Sequence, residues 1–196
     1  MTLKQTPSQT VGPYFAYGLT PRQYGYPFTS LAEGAMAGPG TEGQRIRLQG
    51  RVFDGADQAV PDAMIELWQA NAHGRYNHPA DGRSDNLLDP DFRGFGRVGT
   101  DAEGTFLFDT VKPGASAEGQ APHLNLIVFM RGLLSHAYTR VYFADDAANA
   151  TDTVLASVPE ERRKTLIAEP EETPAGRIYR FDIRMQGADE TVFFDV

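Results

Sequence analysis

The chain has 196 residues, 41% of them hydrophobic, with twelve Phe, eight Tyr and one Trp, enough apolar material for one well-filled core. Eighteen Lys and Arg stand against 26 Asp and Glu, a formal charge of −8 that disfavours nucleic acid and anionic membrane surfaces as partners. With no cysteine there can be no disulfide, thiolate metal site, iron–sulfur cluster or cysteine nucleophile, so any chemistry must use oxygen and nitrogen donors.

The opening MTLKQTPSQTVGPY has one lysine and no apolar run, and no later stretch nears the roughly 18 apolar residues of a membrane span, so the expected setting is the cytoplasm. Residues 1–43 carry Pro7, Gly12, Pro13, Pro21, Pro27 and Pro39, and are expected to form an extended arm ahead of a domain over 44–196. Within the arm, Thr10 precedes Gly12, which permits close backbone approach, Pro13, which stiffens the chain, and Tyr14, which offers a ring and a hydroxyl. That segment suits a binding loop or a cover for a sheet edge.

Beyond the arm, apolar residues alternate with period two in short runs bounded by Gly, Pro, Asp and Asn, the pattern of half-buried strands. The spacing predicts strands over 45–53 and 63–69, joined as a hairpin through Asp54-Gly55-Ala56-Asp57, and over 96–100 and 105–110, joined through Asp101-Ala102-Glu103-Gly104. Further strands are expected over 123–129, 138–143, 178–185 and 191–195. One short helix is expected in LASVPEERRKTL, residues 155–166, where Pro159 suits a first turn and acidic residues precede basic ones. The polar connection 71–95 is too long for an idle loop in a compact domain. The fold class read from this is all-β: an antiparallel β-sandwich of seven to eight strands with an extended N-terminal arm and one short helix.

The candidate chemistry lies in four histidines, His73, His78, His123 and His136, and in the tyrosines; no nucleophile elbow, phosphate loop or His-Glu-x-x-His is present. His123 and Asn125 share a face of one strand at a spacing where two histidines could share a metal, but amide oxygen is a weak ligand for a transition metal. His123 therefore also reads as an ordinary hydrogen-bonded interior histidine. Tyr76, just past the strand that holds Trp68, is either packing or a phenolate donor to a ferric ion. Arg131 could pair bidentately with a carboxylate or close an internal salt bridge.

Together TPSQTVGPY, VFDGADQAVPDAMIELWQANAHGRY, DFRGFGRVGTDAEGTFLFDTVKPG, APHLNLIVFMRG, TRVYF, YRFDIRMQG and ETVFFDV resemble the intradiol ring-cleavage dioxygenases over nearly the whole chain. The likeness is to the alpha chains of that family's two-chain members. It implies a β-sandwich core, a beta subunit as partner and a higher-order assembly of alpha–beta pairs. The activity it implies is cleavage of 3,4-dihydroxybenzoate (protocatechuate) by O2 to 3-carboxy-cis,cis-muconate, in aromatic catabolism.

The resemblance also implies a non-haem Fe(3+) held by two tyrosines and two histidines in the catalytic chains. The first tyrosine falls on Tyr76 and the first histidine on His123. Where catalytic chains read Lys-Pro-Gly-Pro-Tyr-Pro this chain has Lys112-Pro113-Gly114-Ala115-Ser116-Ala117, so the second tyrosine falls on Ser116; the second histidine falls on Asn125. Half the protein donors are gone, and a serine hydroxyl does not replace an anionic phenolate at neutral pH. The expectation is therefore a chain without metal of its own, with vestigial ligand positions Tyr76, Ser116, His123 and Asn125. Iron would be bound by the beta subunit, and no catalytic residue would lie on this chain. Thr10, Gly12, Pro13, Tyr14 and Arg131 would wall the partner's substrate cleft. The alternatives are a self-sufficient dioxygenase with unusual ligands such as His73 or His78, and a transthyretin-like binding module without catalysis.

Overall fold

The computed structural model describes residues 9–12, 14–85 and 87–195. Nine strands are found among them: β1 (Arg45–Phe53), β2 (Met64–Trp68), β3 (Phe95–Gly99), β4 (Thr105–Val111), β5 (His123–Phe129), β6 (Ala137–Phe143), β7 (Ile167–Thr173), β8 (Gly176–Arg180) and β9 (Ile183–Arg184). They are ordered β3-β2-β5-β6-β7-β8-β1-β4, with β9 beside β1. Folded over, this nearly closed ribbon is a barrel-like sandwich. One layer is β3-β2-β5-β6 and the other β7-β8-β1-β4, and their inward residues form one core that includes Leu48, Phe106 and Phe108 from one layer and Leu67, Leu126 and Val141 from the other. Each such side chain, removed from water, contributes about 1.5–3 kcal/mol.

The sheet is mixed, which corrects the antiparallel reading. β1 runs parallel to β8 and β9, and β6 runs parallel to β7. Neither predicted hairpin forms. β1 pairs with β4, while β2 pairs with β3 and β5, so both Asp-bounded turns carry the chain from one layer to the other. Their backbone chemistry is as expected: Asp57 has φ 57° and Gly104 φ 75°. A tight turn reverses the chain locally but does not decide which edge the next strand joins.

Other elements differ for local reasons. β7, IAEPEET, has no alternation to reveal it, and Pro170 is tolerated because the strand lies near a layer edge. The run 178–185 divides into β8 and β9 at Phe181 and Asp182. Residues 191–195 make a single bridge, Phe194 to Tyr138, rather than a strand. The single expected helix is broken: α2 (Thr153–Ser157) and α3 (Glu160–Arg163) flank an extended Val158, the conformation a following proline imposes. The N-terminal segment is not extended throughout, because it contains α1 (Tyr14–Leu19) and a 3-10 turn at Pro21–Tyr24. No helix among the described residues is long and apolar enough to cross a membrane.

Strand β5 places the site. Leu124, Leu126 and Val128 are buried in the core, so His123, Asn125, Ile127 and Phe129 share the opposite face, where the long connections cover them. The core itself depends on one close approach. A Cβ on Gly50 of β1 would lie 1.6 Å from the Phe181 carbonyl oxygen and 2.9 Å from the Phe106 ring. Gly50→Ala is expected to lower stability by about 3 kcal/mol or more, read as a shifted urea midpoint; an unshifted midpoint would mean that the β1–β8 junction yields.

Candidate functional site

Tyr76 is delivered by a tightly organised loop. Buried Asn71 accepts hydrogen bonds on its side-chain oxygen from the backbone N–H of His73 (2.9 Å) and Arg75 (3.0 Å), and its amide donates to the Leu87 carbonyl at 2.7 Å. This is an Asx turn used to bend the chain just after β2. Gly74 takes φ 78°, and a Cβ there would lie 2.0 Å from the Ala115 carbonyl oxygen; a Cβ on Gly114 would lie 2.6 Å from the Gly74 nitrogen. Two glycines thus let the loop before Tyr76 and the loop before Ser116 touch backbone to backbone. Arg83 clamps them, donating to the carbonyls of Gly74 and Ser116 and pairing with Asp81, which accepts from the Tyr76 backbone N–H at 2.9 Å. The hydrogen bond from Arg83 holds the Asp81 carboxyl well below the usual carboxylate range.

The four expected ligand positions, Tyr76, Ser116, His123 and Asn125, do come together, around a cavity of about 790 Å³. Their donor set departs from the two-tyrosine, two-histidine set that the family resemblance implies. The Asn125 amide nitrogen donates to the Tyr76 hydroxyl and to the Trp68 carbonyl, each at 3.2 Å, so it turns a donor toward the phenol oxygen. Ser116 donates to Gln120 at 3.2 Å. One phenol, one imidazole, one alcohol and one amide offer a single potential anion, less donor charge than two phenolates and two imidazoles bring to a hard trivalent ion. His123 is buried, its Nδ1 donates to the Ala121 carbonyl at 2.8 Å, and its ring centroid lies 5.9 Å from that of Tyr142. Burial pushes its pKa below the ordinary imidazole value, with nearby Arg140 acting in the same direction.

The remaining histidines stand apart. His73 is exposed and paired with Glu42 at 2.8 Å, His78 lies edge-on to Trp68 at 6.1 Å between ring centroids, and His136 bonds the Tyr138 hydroxyl at 2.7 Å. Among the described residues no three His, Cys, Asp or Glu side chains cluster. Trp68, half-buried, stacks on Tyr76 with ring centroids 5.6 Å apart and planes 18° from parallel.

Sequence reasoning passed over Arg140, Tyr142 and Asp152. Arg140 lies opposite Asn125 in the β5–β6 register and also lines the cavity. Its Nη1 donates to the Tyr142 hydroxyl at 3.5 Å, and that hydroxyl donates to Asp152 at 3.1 Å. Asp152, buried, also accepts from the backbone N–H of Ala121 and Leu155, each at 2.7 Å, capping α2 and fixing the chain just before His123. Burial pushes the Tyr142 hydroxyl up to about 12. The available signal was a basic residue interrupting the otherwise uncharged strand AYTRVYF.

The arm residues gather elsewhere. The Thr10 hydroxyl accepts from the Gly132 N–H at 3.0 Å, Phe15 meets Phe129 at 5.7 Å between centroids, and Arg131 pairs through Nε with Asp62. Thr10, Gly12 and Arg131 are exposed. Tyr14 begins α1, and Pro13 lies outside the described residues. The six steps from Asn125 to Arg131 span up to about 20 Å at strand rise. The arm cluster and the ligand positions therefore mark opposite ends of β5.

Below about pH 6.5 the unfolded chain protonates position 123 more readily than the folded chain, whose pKa is lowered, so stability falls as pH falls through that range. The stability difference between the wild type and His123→Gln is expected to shrink below pH 6.5, approaching the one-proton limit of about 1.4 kcal/mol per pH unit. Urea titrations between pH 7.5 and 5 check this; a pH-independent difference would rule it out.

A family model described as dioxygenase matches residues 12–187. The chain is 56% identical over 200 residues to the protocatechuate 3,4-dioxygenase alpha chain of Burkholderia cepacia, covering 100% of this chain and 99% of that one. It is 40% identical over 159 residues to the beta chain from the same organism, covering 76% of this chain and 67% of that one. Among solved structures, the dioxygenase domain of a carbohydrate-binding fusion protein from Streptomyces sp. SirexAA-E superposes with a TM-score of 0.62 at 20% identity, over 93% of this chain and 100% of that one. That last likeness is one of fold alone.

Proposed function

The chain belongs to the intradiol ring-cleavage dioxygenase family, and on that premise we propose that it works as the alpha subunit of a protocatechuate 3,4-dioxygenase, paired with a beta chain that carries the iron. The reaction of the assembly opens 3,4-dihydroxybenzoate between its two hydroxyl-bearing carbons and places both atoms of O2 in 3-carboxy-cis,cis-muconate. A higher-order assembly of alpha–beta pairs and a cytoplasmic location belong to the same proposal.

The observation that carries the reading is the division of β5. At one end stand the four ligand positions with an unsuitable donor set, and Asn125 turns its amide nitrogen, not its oxygen, toward Tyr76. At the other end an exposed cluster of Thr10, Gly12 and Arg131 is held by the Thr10–Gly132 hydrogen bond, and none of these residues lines the chain's own cavity. Among the described residues a Cβ on Gly12 would meet nothing within 4 Å, so the surface there is open to a partner. This is the chemistry of a wall supplied to a neighbour's cleft.

In that cleft the chain positions substrate and excludes water while the chemistry stays with the partner. Asp62 occupies Nε of Arg131, so the terminal nitrogens of the guanidinium are the groups that meet the substrate carboxylate. Thr10 and Gly12 form the adjoining wall, and by the family resemblance Pro13 and Tyr14 belong to the same proposal. Because the net charge is −8, the attraction of Arg131 for an anion is local.

Iron content and protocatechuate-dependent oxygen uptake, measured on this chain alone and on the chain co-purified with a beta chain, test the proposal. The lone chain is expected to be iron-free and inactive and the pair iron-loaded and active; stoichiometric iron and ring cleavage in the lone chain would overturn it. In the pair, Arg131→Ala is expected to raise KM about tenfold with kcat within about twofold, the effect fading at high salt. Unchanged KM across salt concentrations would remove Arg131 from the cleft.

A further inference from the structure

We infer that the cavity around Tyr76, His123 and Asn125, which the proposed function leaves idle, is a non-catalytic binding site for a small aromatic carboxylate, with Arg140 as its anion-recognising residue. The inference goes beyond the alpha-subunit reading and rests on this chain's own residues. At about 790 Å³ the cavity has the volume of a small-molecule pocket. Its walls are flat and apolar: the Trp68–Tyr76 stack, Phe95, Ile127 and Phe194. Planar ligands fit such walls.

Among the described residues Arg140 is the one arginine or lysine lining the cavity. Among the described residues Arg140 is in no ion pair, and its one hydrogen bond to a side chain is the long donation to Tyr142 at 3.5 Å. Asp152, behind Tyr142, accepts from two backbone N–H groups and the Tyr142 hydroxyl and makes no ion pair with Arg140 among the described residues. Asp195, the one acidic residue lining the cavity, is exposed at its rim. A half-buried guanidinium with five N–H donors and no carboxylate of its own is a receptor for a planar anion. Gln120 and Asn125 beside it can hydrogen-bond a ring hydroxyl.

The only tryptophan of the chain forms the cavity wall, so its fluorescence reports occupancy. The full chain, treated with chelator and assayed for iron, is titrated with benzoate and with its neutral isostere benzamide. Saturable change with benzoate, at least tenfold weaker binding of benzamide, and at least tenfold weakening of benzoate in Arg140→Met with an unchanged melting curve are the expected results. Arg140→Lys, which keeps the charge without the fork, is expected to fall between. Linear, unsaturable quenching, equal affinity for benzamide, or wild-type binding in Arg140→Met would each overturn the inference. If Arg140→Met does not fold, Ile127→Phe, which narrows the same cavity without touching charge, must weaken benzoate as much; failing that, the inference is overturned. Iron in the chelator-treated sample would count against the alpha-subunit reading, whereas benzoate binding lost in iron-free protein would count against this one.

Discussion

The contact on which the rest of the site depends is the meeting of two loop backbones at Gly74 and Gly114, where neither position has room for a side chain. Asn71 shapes one loop from within, and Arg83 ties it to the other through the carbonyls of Gly74 and Ser116. This frame is built from backbone groups, an Asx turn and one internal ion pair. None of those parts needs a metal. The side chains that face inward can therefore change chemistry while the cavity keeps its shape, and that is the condition in which Ser116 and Asn125 are found.

The second organising fact is the alternation along β5. Its even-numbered residues fill the core and its odd-numbered ones form a working face, with His123 and Asn125 at one end and Phe129 leading to Arg131 at the other. The arm crosses to the second end and is fastened there by Thr10. One strand thus holds a cavity of the chain's own and an outward surface for a partner. In the proposed assembly the family's single active site is separated into a retained pocket and a contributed wall.

Much of this was legible in sequence, for identifiable reasons. Strand β5 coincides with its expected range of 123–129 because its inward residues are all aliphatic and its bounds are Pro and Met-Arg-Gly. The turns at Asp57 and Gly104 were recognisable from residue type, but the pairing they lead to was not, since pairing depends on which core face is left uncovered. β7 was hidden by Pro170 and three glutamates, and α1 by the density of Pro and Gly around it. Ser116 and Asn125 carry no signal of their own; they gain meaning as departures from a family pattern. Arg140 was overlooked because a single arginine in a strand ordinarily points to solvent, and only the structure brings it beside Asn125 at the cavity.

The two layers are stitched along one side by β6 and β7 through just two residue pairs, Tyr142 with Ile167 and Phe143 with Ala168. Neighbouring seams such as β1 with β4 run for seven. The short stitch lies beside α2, α3 and the small satellite core of Ala121, Tyr142, Leu155, Val158 and Leu166, separate from the main one. Subglobal opening is expected to begin where ladder bonds are fewest and the underlying cluster smallest. Amides around this seam would then exchange with deuterium before those of β1 and β4, and the molecule would come apart as a clasp unfastens, with its main fabric still intact.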